Sequence, residues 1–468
     1  MTGISETTVA THDDDHAIIE AGYKPQLKRS LGFFSSFAVS FSFMSVLMGI
    51  FANYGYVLGK AGPFGLWTWL LVGGGQFLVA LVFAEMAGRI PLTGALYNWN
   101  TRLANPTVGW FTAWLLLFAY AVGCAGVVVA MLAPLQTFLG LEFDGVSARA
   151  VGAVIVLMQA MVNIYGVRLA AYTNKVAVIA EIIALIAFGI IILAVILIHG
   201  EAHTELLTTI PAQPVPYWPG FLMSSLMAAW TIFGFEASSD LSEETLNVKR
   251  VTPRSIISSV IATVLLGAFF IGIITLAIPD LASVTAAADP VSTIVASHLG
   301  DTVTKIFLVF VLTAMFAASM LGITTASRIL FAVARDKRVA GSSSLAKVSS
   351  HGVPSGGVWI VAFIEIVSIL LAKDLADLYA APVVLLSLAY LITVISFIVG
   401  SKKLPATNNF SLGNWHWPVV ILAVLWLVSL IGILTLPDEF HAVSVIAGGV
   451  LALGVVLYFI AGRVRKTA

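Results

Sequence analysis

Charge is scarce in this sequence. Only 10% of its 468 residues are Asp, Glu, Lys or Arg, against 59% apolar ones, whereas a soluble domain carries roughly a quarter charged residues. A soluble globular chain is excluded on that ground. Cysteine is nearly missing as well: Cys124 stands alone inside an apolar run, which leaves no intrachain disulfide and no cysteine-built metal site. Net charge is zero, Lys and Arg matching Asp and Glu at 24 each, so nothing favours a nucleic-acid partner. The eight histidines fall in tails, loops or the ends of apolar runs. No intramembrane metal cluster and no cofactor is therefore expected. His12-Asp13-Asp14-Asp15-His16 has the residue types of a cation site, but its surroundings read as a polar tail. Short alternating runs, the mark of a membrane β-barrel, are also lacking.

What the sequence has instead is apolar runs of about 20 residues or more, the length a helix needs to cross roughly 30 Å of hydrocarbon. Mean hydropathy is +1.00. Twelve spans are expected near 34–58, 65–88, 107–138, 147–167, 174–198, 220–243, 254–278, 303–333, 356–372, 378–400, 416–436 and 442–462. Polar joints separate them, among them Gly62-Pro63, the proline-rich 211–219 stretch and the 335–355 segment. The first apolar run begins near Phe33 and is too long for a signal peptide, so it is expected to stay as span 1. With the amino terminus inside, only Lys60, Arg149, Lys305 and Lys373 fall outside, leaving 20 of the 24 Lys and Arg on the inner side. That asymmetry follows the positive-inside rule. It predicts cytoplasmic termini and an even number of spans in the cell membrane, with the lipid bilayer as the surrounding partner.

Transporters commonly build their site at the bilayer midplane, where two corresponding spans lose helical pairing and the freed backbone faces a cavity. Spans 1 and 6 carry that signal. Span 1 gathers small and polar residues over Ser40–Gly49, and span 6 reads Trp230-Thr231-Ile232-Phe233-Gly234-Phe235-Glu236 before a polar run. A glycine in a span can serve close packing alone. A carboxylate at membrane depth is costly and usually functional, and the two signals lie five spans apart.

These features accompany several ordered motifs: Ala84-Glu85-Met86-Ala87-Gly88-Arg89-Ile90-Pro91-Leu92-Thr93-Gly94-Ala95-Leu96-Tyr97 after span 2, Asn163-Ile164-Tyr165-Gly166-Val167 ending span 4, Gly234-Phe235-Glu236 with Glu243-Glu244 in span 6, and Ser327-Arg328 with Ala334-Arg335-Asp336 ending span 8. From about residue 30 to 460 the chain resembles the amino acid–polyamine–organocation superfamily, and is most similar to its amino acid/choline transporter branch. The resemblance implies an all-α membrane fold of two inverted five-helix repeats in the LeuT-like arrangement, with two helices added. On that reading the chain divides into a tail 1–33, a first repeat 34–198, an outer loop 199–219, a second repeat 220–400, spans 11 and 12 over 401–462 and a tail 463–468. The resemblance also implies alternating access around a site made by spans 1, 3, 6 and 8. One departure is Leu47-Met48-Gly49, where many amino-acid-transporting members have a Gly-Ser-Gly-like stretch whose amides hold the substrate carboxylate. It points toward a substrate without one.

Expected substrate contacts are Ser45, Met48 and Gly49 from span 1, Tyr120 and Cys124 one turn apart in span 3, Trp230, Gly234, Phe235 and Glu236 from span 6, and Ser319 from span 8. Trp230 stands where the family has a gating aromatic, though a mid-span tryptophan also packs. Thr324 and Thr325 are further polar candidates in span 8. Glu181, in the middle of span 5, is the expected proton-coupling residue, with Glu236 as a second, because burial favours the neutral form of a carboxyl group. Sodium is the rival coupling ion. Glu85, Glu243 and Glu244 are expected to anchor Arg89, Lys249 or Arg250, and Glu365 in span 9 has no partner readable from sequence. The expected function is proton-coupled import of an amino acid or small amine. Substrate–product exchange, or a non-transporting receptor of the same fold, stays open. A channel lacks its repeated rings and an enzyme its nucleophile and base. The sequence specifies no oligomeric state.

Overall fold

A computed structural model describes residues 19, 29, 31–165, 167–210, 216–349, 352–372, 375–404 and 409–467. The His12–His16 cluster, Lys24, Lys28, Gly166, the prolines at 211 and 214, and Lys373 lie outside the described residues. The chain is an all-α, multi-spanning membrane protein. In order, its helices are α1 (Phe33–Met44), α2 (Val46–Ala61), α3 (Thr68–Arg89), α4 (Ala95–Leu103), α5 (Pro106–Ala130), α6 (Leu132–Leu139), α7 (Gly145–Tyr165), α8 (Val167–His199), α9 (Tyr217–Met223), α10 (Ser225–Thr231), α11 (Val248–Leu276), α12 (Leu281–Ala286), α13 (Pro290–Arg335), α14 (Ser342–Leu345), α15 (Ser355–Leu371), α16 (Leu375–Gly400), α17 (His416–Ile433) and α18 (His441–Thr467). Among the described residues, eleven helical segments are long and apolar enough to cross a membrane, and the apolar α15 is shorter at 17 residues.

Helix starts obey ordinary capping rules. The Asn105 side chain accepts the Thr107 and Val108 amides at 2.9 and 3.1 Å, with Pro106 in the first helical position of α5. Asp289 does the same for the Ser292 amide ahead of Pro290 at the start of α13. Two stretches read as links are helical: α4 follows span 2, and α12 with the first turns of α13 fills the connection before span 8. Gly300, at φ +72°, breaks α13 so that this connecting part and the span point differently.

Burial sorts the spans. In the segments containing α1–α2, α5–α6 and α9–α10, 78–83% of the apolar window is buried; in α7 and the α17 and α18 segments the figure is 22–28%. The first set forms the interior and the second faces lipid. Around that interior, α5 packs on α13 and α16, α11 on α1 and α3, and α2 on α10.

The signature after span 2 has a packing role. The Tyr97 hydroxyl donates to Asp336 at the end of α13, and Trp99 donates to the Ile90 carbonyl at 3.0 Å. Glu85 holds Arg89 at 2.5 Å and accepts the Leu412 amide at 3.0 Å. Glu243 accepts the Thr93 amide at 3.4 Å instead of the basic residues expected for it.

Candidate functional site

Both predicted breaks in helical pairing are present. Span 1 parts at Ser45, which takes φ +22° and ψ 100° between α1 and α2. Span 6 parts after Ile232 and resumes as a 3₁₀ stretch, Phe235–Glu244, entered through Gly234 at φ +73°. A side chain at 234 would strain that left-handed backbone and meet the Phe43 ring 2.1 Å away.

Side chains take up several of the backbone donors at these breaks. Glu181 reaches from α8 to the start of α2, where its Oε1 accepts the Ser45 hydroxyl at 2.8 Å and the Leu47 amide at 3.0 Å. A carboxylate there also faces the positive end of a helix dipole. The Ser40 hydroxyl donates to the Phe235 carbonyl at 2.7 Å and accepts the Ser238 amide at 3.1 Å, tying α1 to the 3₁₀ stretch. Tyr390 of α16 accepts the Gly234 amide at 2.8 Å and donates to Glu236. Tyr120 of α5 donates to the other oxygen of Glu236 at 2.7 Å. One carboxylate thus links three elements.

Gly49 lies within α2 and lets that helix meet α10. An added Cβ would come 1.7 Å from the Thr231 hydroxyl. Trp230 is fully buried in edge contact with Tyr379, ring centroids 5.0 Å apart. The Ser319 hydroxyl points to the Cys124 carbonyl and Gln159, at 3.4 and 3.3 Å, while the Thr324 hydroxyl turns to Asn163 and the Met320 carbonyl. Glu365 is 0% exposed, and among the described residues neither of its carboxyl oxygens has a hydrogen-bond partner.

Of the expected contacts, Met48, Tyr120 and Cys124 share a cavity of about 20 Å³ with Phe43, Val127 and Phe233. Ser45, Gly49, Trp230, Gly234, Phe235, Glu236 and Ser319 are not among its lining residues. A much larger vestibule of about 380 Å³ opens beside it between α1, α8, the 3₁₀ stretch and α13. Its rim includes Leu31, whose amide and carbonyl pair with Glu244 and Leu246 at 3.0 and 2.9 Å. Tyr390, Ser40, Phe43 and Phe233 were missed by sequence reasoning. The only cue was an aromatic or hydroxyl residue in an apolar run, which packing alone also explains.

Broken spans packed against one another, with a small cavity lined from both of them, form the setting in which a membrane protein handles a small solute. The amino acid permease family model matches residues 31–458. The chain belongs to the amino acid permease family, within the amino acid–polyamine–organocation class of transporters. Its relatives include the amino-acid permease BAT1 of Arabidopsis thaliana, 27% identical over 89% of this chain and 87% of the relative. The BAT1 homolog of Oryza sativa subsp. japonica is 27% identical over 96% and 94%. The branched-chain amino acid permease BcaP of Lactococcus lactis subsp. cremoris is 25% identical over 87% and 88%. Members of the permease family are transporters and not enzymes. This permease is accordingly a secondary-active transporter of the amino-acid and amine class.

Proposed function

We propose that the chain imports an amino acid, or a closely related small amine, by proton-coupled symport. The observation that carries this reading is Glu181, whose single oxygen Oε1 occupies two donors at the broken start of α2. Those donors are of the kind that receive a substrate carboxylate at a half-helix amino end. A proton on Glu181 removes the negative charge that competes for them, so proton uptake and carboxylate binding favour one another. The Leu47-Met48-Gly49 departure then has a physical sense: in the unprotonated state this chain supplies its own carboxylate to amides that would otherwise wait for the substrate's.

The architecture we infer around this site has twelve spans, α15 being one of them, arranged as two inverted five-span units plus α17 and α18. Breaks five spans apart support the inverted units. The skew of Lys and Arg supports cytoplasmic termini in the plasma membrane, which makes the large vestibule inward-facing. Substrate contact falls to Met48, Tyr120 and Cys124 in the small cavity, with Ser45, Gly49, Gly234, Phe235, Glu236, Trp230 and Ser319 shaping it.

The test is uptake into proteoliposomes from a panel of labelled amino acids and amines, with and without an inward proton gradient. Uptake several-fold higher with the gradient is expected, together with a Glu181→Gln variant that exchanges substrate but ignores the gradient. Wild-type uptake that ignores the gradient and requires internal substrate overturns symport in favour of exchange.

A further inference from the structure

Two oppositely charged side chains line the 380 Å³ vestibule without satisfying one another. Asp240, in the 3₁₀ stretch, is 6% exposed and makes no hydrogen bond or ion pair among the described residues; the charges it feels are those of Glu236 and Arg328. Arg328, on α13, donates to the Thr324 carbonyl at 3.3 Å and, among the described residues, otherwise meets Asp240 and Glu244 through space. Burying a carboxyl group without a hydrogen-bond partner is expensive, and Arg328, half-buried with one carbonyl partner, has donors to spare for it. Yet they stand apart, facing a common space.

That space suits a particular class of occupant. Its volume lies within the roughly 300–1,000 Å³ of small-ligand cavities. Its charged lining consists of Lys175, Asp240, Glu244 and Arg328, a formal sum of zero. A zwitterion meets such a lining without leaving a surplus charge, whereas a bare amine or a bare acid leaves one member of the pair unmatched. A guanidinium presents two parallel donors to a carboxylate, and a carboxylate accepts from an ammonium. Phe34, Val39 and Met320 give the rest of the lining an apolar character.

We propose that the vestibule is a second amino acid site, separate from the small cavity at Met48, Tyr120 and Cys124, with Asp240 receiving the α-ammonium and Arg328 the α-carboxylate. It rests on the transporter reading above for the class of ligand, and it gives that ligand a weak stopping point between the small cavity and the vestibule mouth.

The test counts bound molecules. Purified full-length protein in lipid nanodiscs is titrated with tritiated L-alanine and L-leucine, and saturation binding is read per chain. Two molecules are expected, one tight and one weak. Asp240→Asn and Arg328→Gln each weaken the loose component at least tenfold and leave the tight one in place. In the wild type, 3-methylbutylamine and 4-methylpentanoate, which each keep one end of leucine, fail to displace the loose component. A single molecule per chain overturns the proposal, as does a loose component that both variants retain or that either one-ended analogue displaces. If a variant does not fold, the wild-type competition decides. Uptake with one bound molecule sinks the second site alone. Absence of both uptake and binding across the amino acid panel sinks the transporter reading with it.

Discussion

Gly49→Ala puts a methyl group into the contact between the two half-helices α2 and α10. The new Cβ would lie 1.7 Å from the Thr231 hydroxyl oxygen, 2.7 Å from its Cβ and 2.8 Å from its methyl carbon. Turning the hydroxyl away is not enough, since the 2.7 Å contact with the Thr231 Cβ persists in every rotamer, and it surrenders a 2.7 Å hydrogen bond to the Met227 carbonyl. The helices must therefore separate. Overpacking of this kind costs about 1–3 kcal/mol, and the lost hydrogen bond adds about 1 kcal/mol. Removing the hydroxyl and methyl with Thr231→Ala leaves, of these three contacts, the one at 2.7 Å, which calls for a smaller separation than the 1.7 Å clash does. The double variant is thus expected to recover more than half of the loss, a coupling of about 1 kcal/mol or more. Equilibrium unfolding of purified protein in mixed micelles, run on the four members of the cycle, measures this. A neutral Gly49→Ala, or a double variant whose loss is the sum of the two single losses, refutes the idea that this glycine exists to bring the broken spans together.

Other substitutions probe the remaining contacts. Glu181→Leu leaves the Leu47 amide and Ser45 hydroxyl without their acceptor, a loss of about 1–3 kcal/mol; Glu181→Gln keeps an acceptor and should fall within about 1 kcal/mol of wild type in the same unfolding assay. Tyr390→Phe strips the acceptor from the buried Gly234 amide, so exchange-in of deuterium at the peptide containing Gly234 should quicken about tenfold or more, while Tyr120→Phe leaves that peptide unchanged. Glu365→Met replaces a carboxyl group whose oxygens lack hydrogen-bond partners among the described residues and should raise stability by about 1–3 kcal/mol; a lower melting temperature refutes this. Lys60→Ala removes a half-exposed ion pair with Glu439 and should cost no more than about 1 kcal/mol, read as a shift in melting temperature that shrinks further in high salt.

Much of the fold was legible because hydrocarbon imposes its demand on contiguous residues. A run such as 174–198 must be helical and apolar whatever it touches, and the sequence shows that directly. The span-6 break was readable for a similar reason: Gly234 and Glu236 are two exceptional residues side by side. Tyr390 was not readable. It sits in an apolar run that tolerates an aromatic anywhere, and its two partners are more than 150 positions away. Ser40 hid in the same way, its hydroxyl indistinguishable from one bonded to its own helix. Asp240 was visible as a charge but not as a cavity wall, because the wall is assembled from four distant elements. Helix α4 was missed because its pattern, Ala-Leu-Tyr-Asn-Trp-Asn-Thr-Arg-Leu, carries too little apolar material to register as a span and lies in what reads as a link.

The hydroxyl of Tyr390 has one hydrogen and one settled direction. Its oxygen already receives the Gly234 amide, so its own hydrogen is aimed at Glu236, where the hydrogen of Tyr120 also arrives. The carboxylate is thus a meeting point fed from two sides. Tyr120 stands on α5 and Tyr390 on α16, so one side chain of the 3₁₀ stretch ties down a helix on each side of it. Losing that one carboxyl group would therefore free two hydroxyls on two helices at once, while the clasp of Tyr390 on the Gly234 amide stays in place.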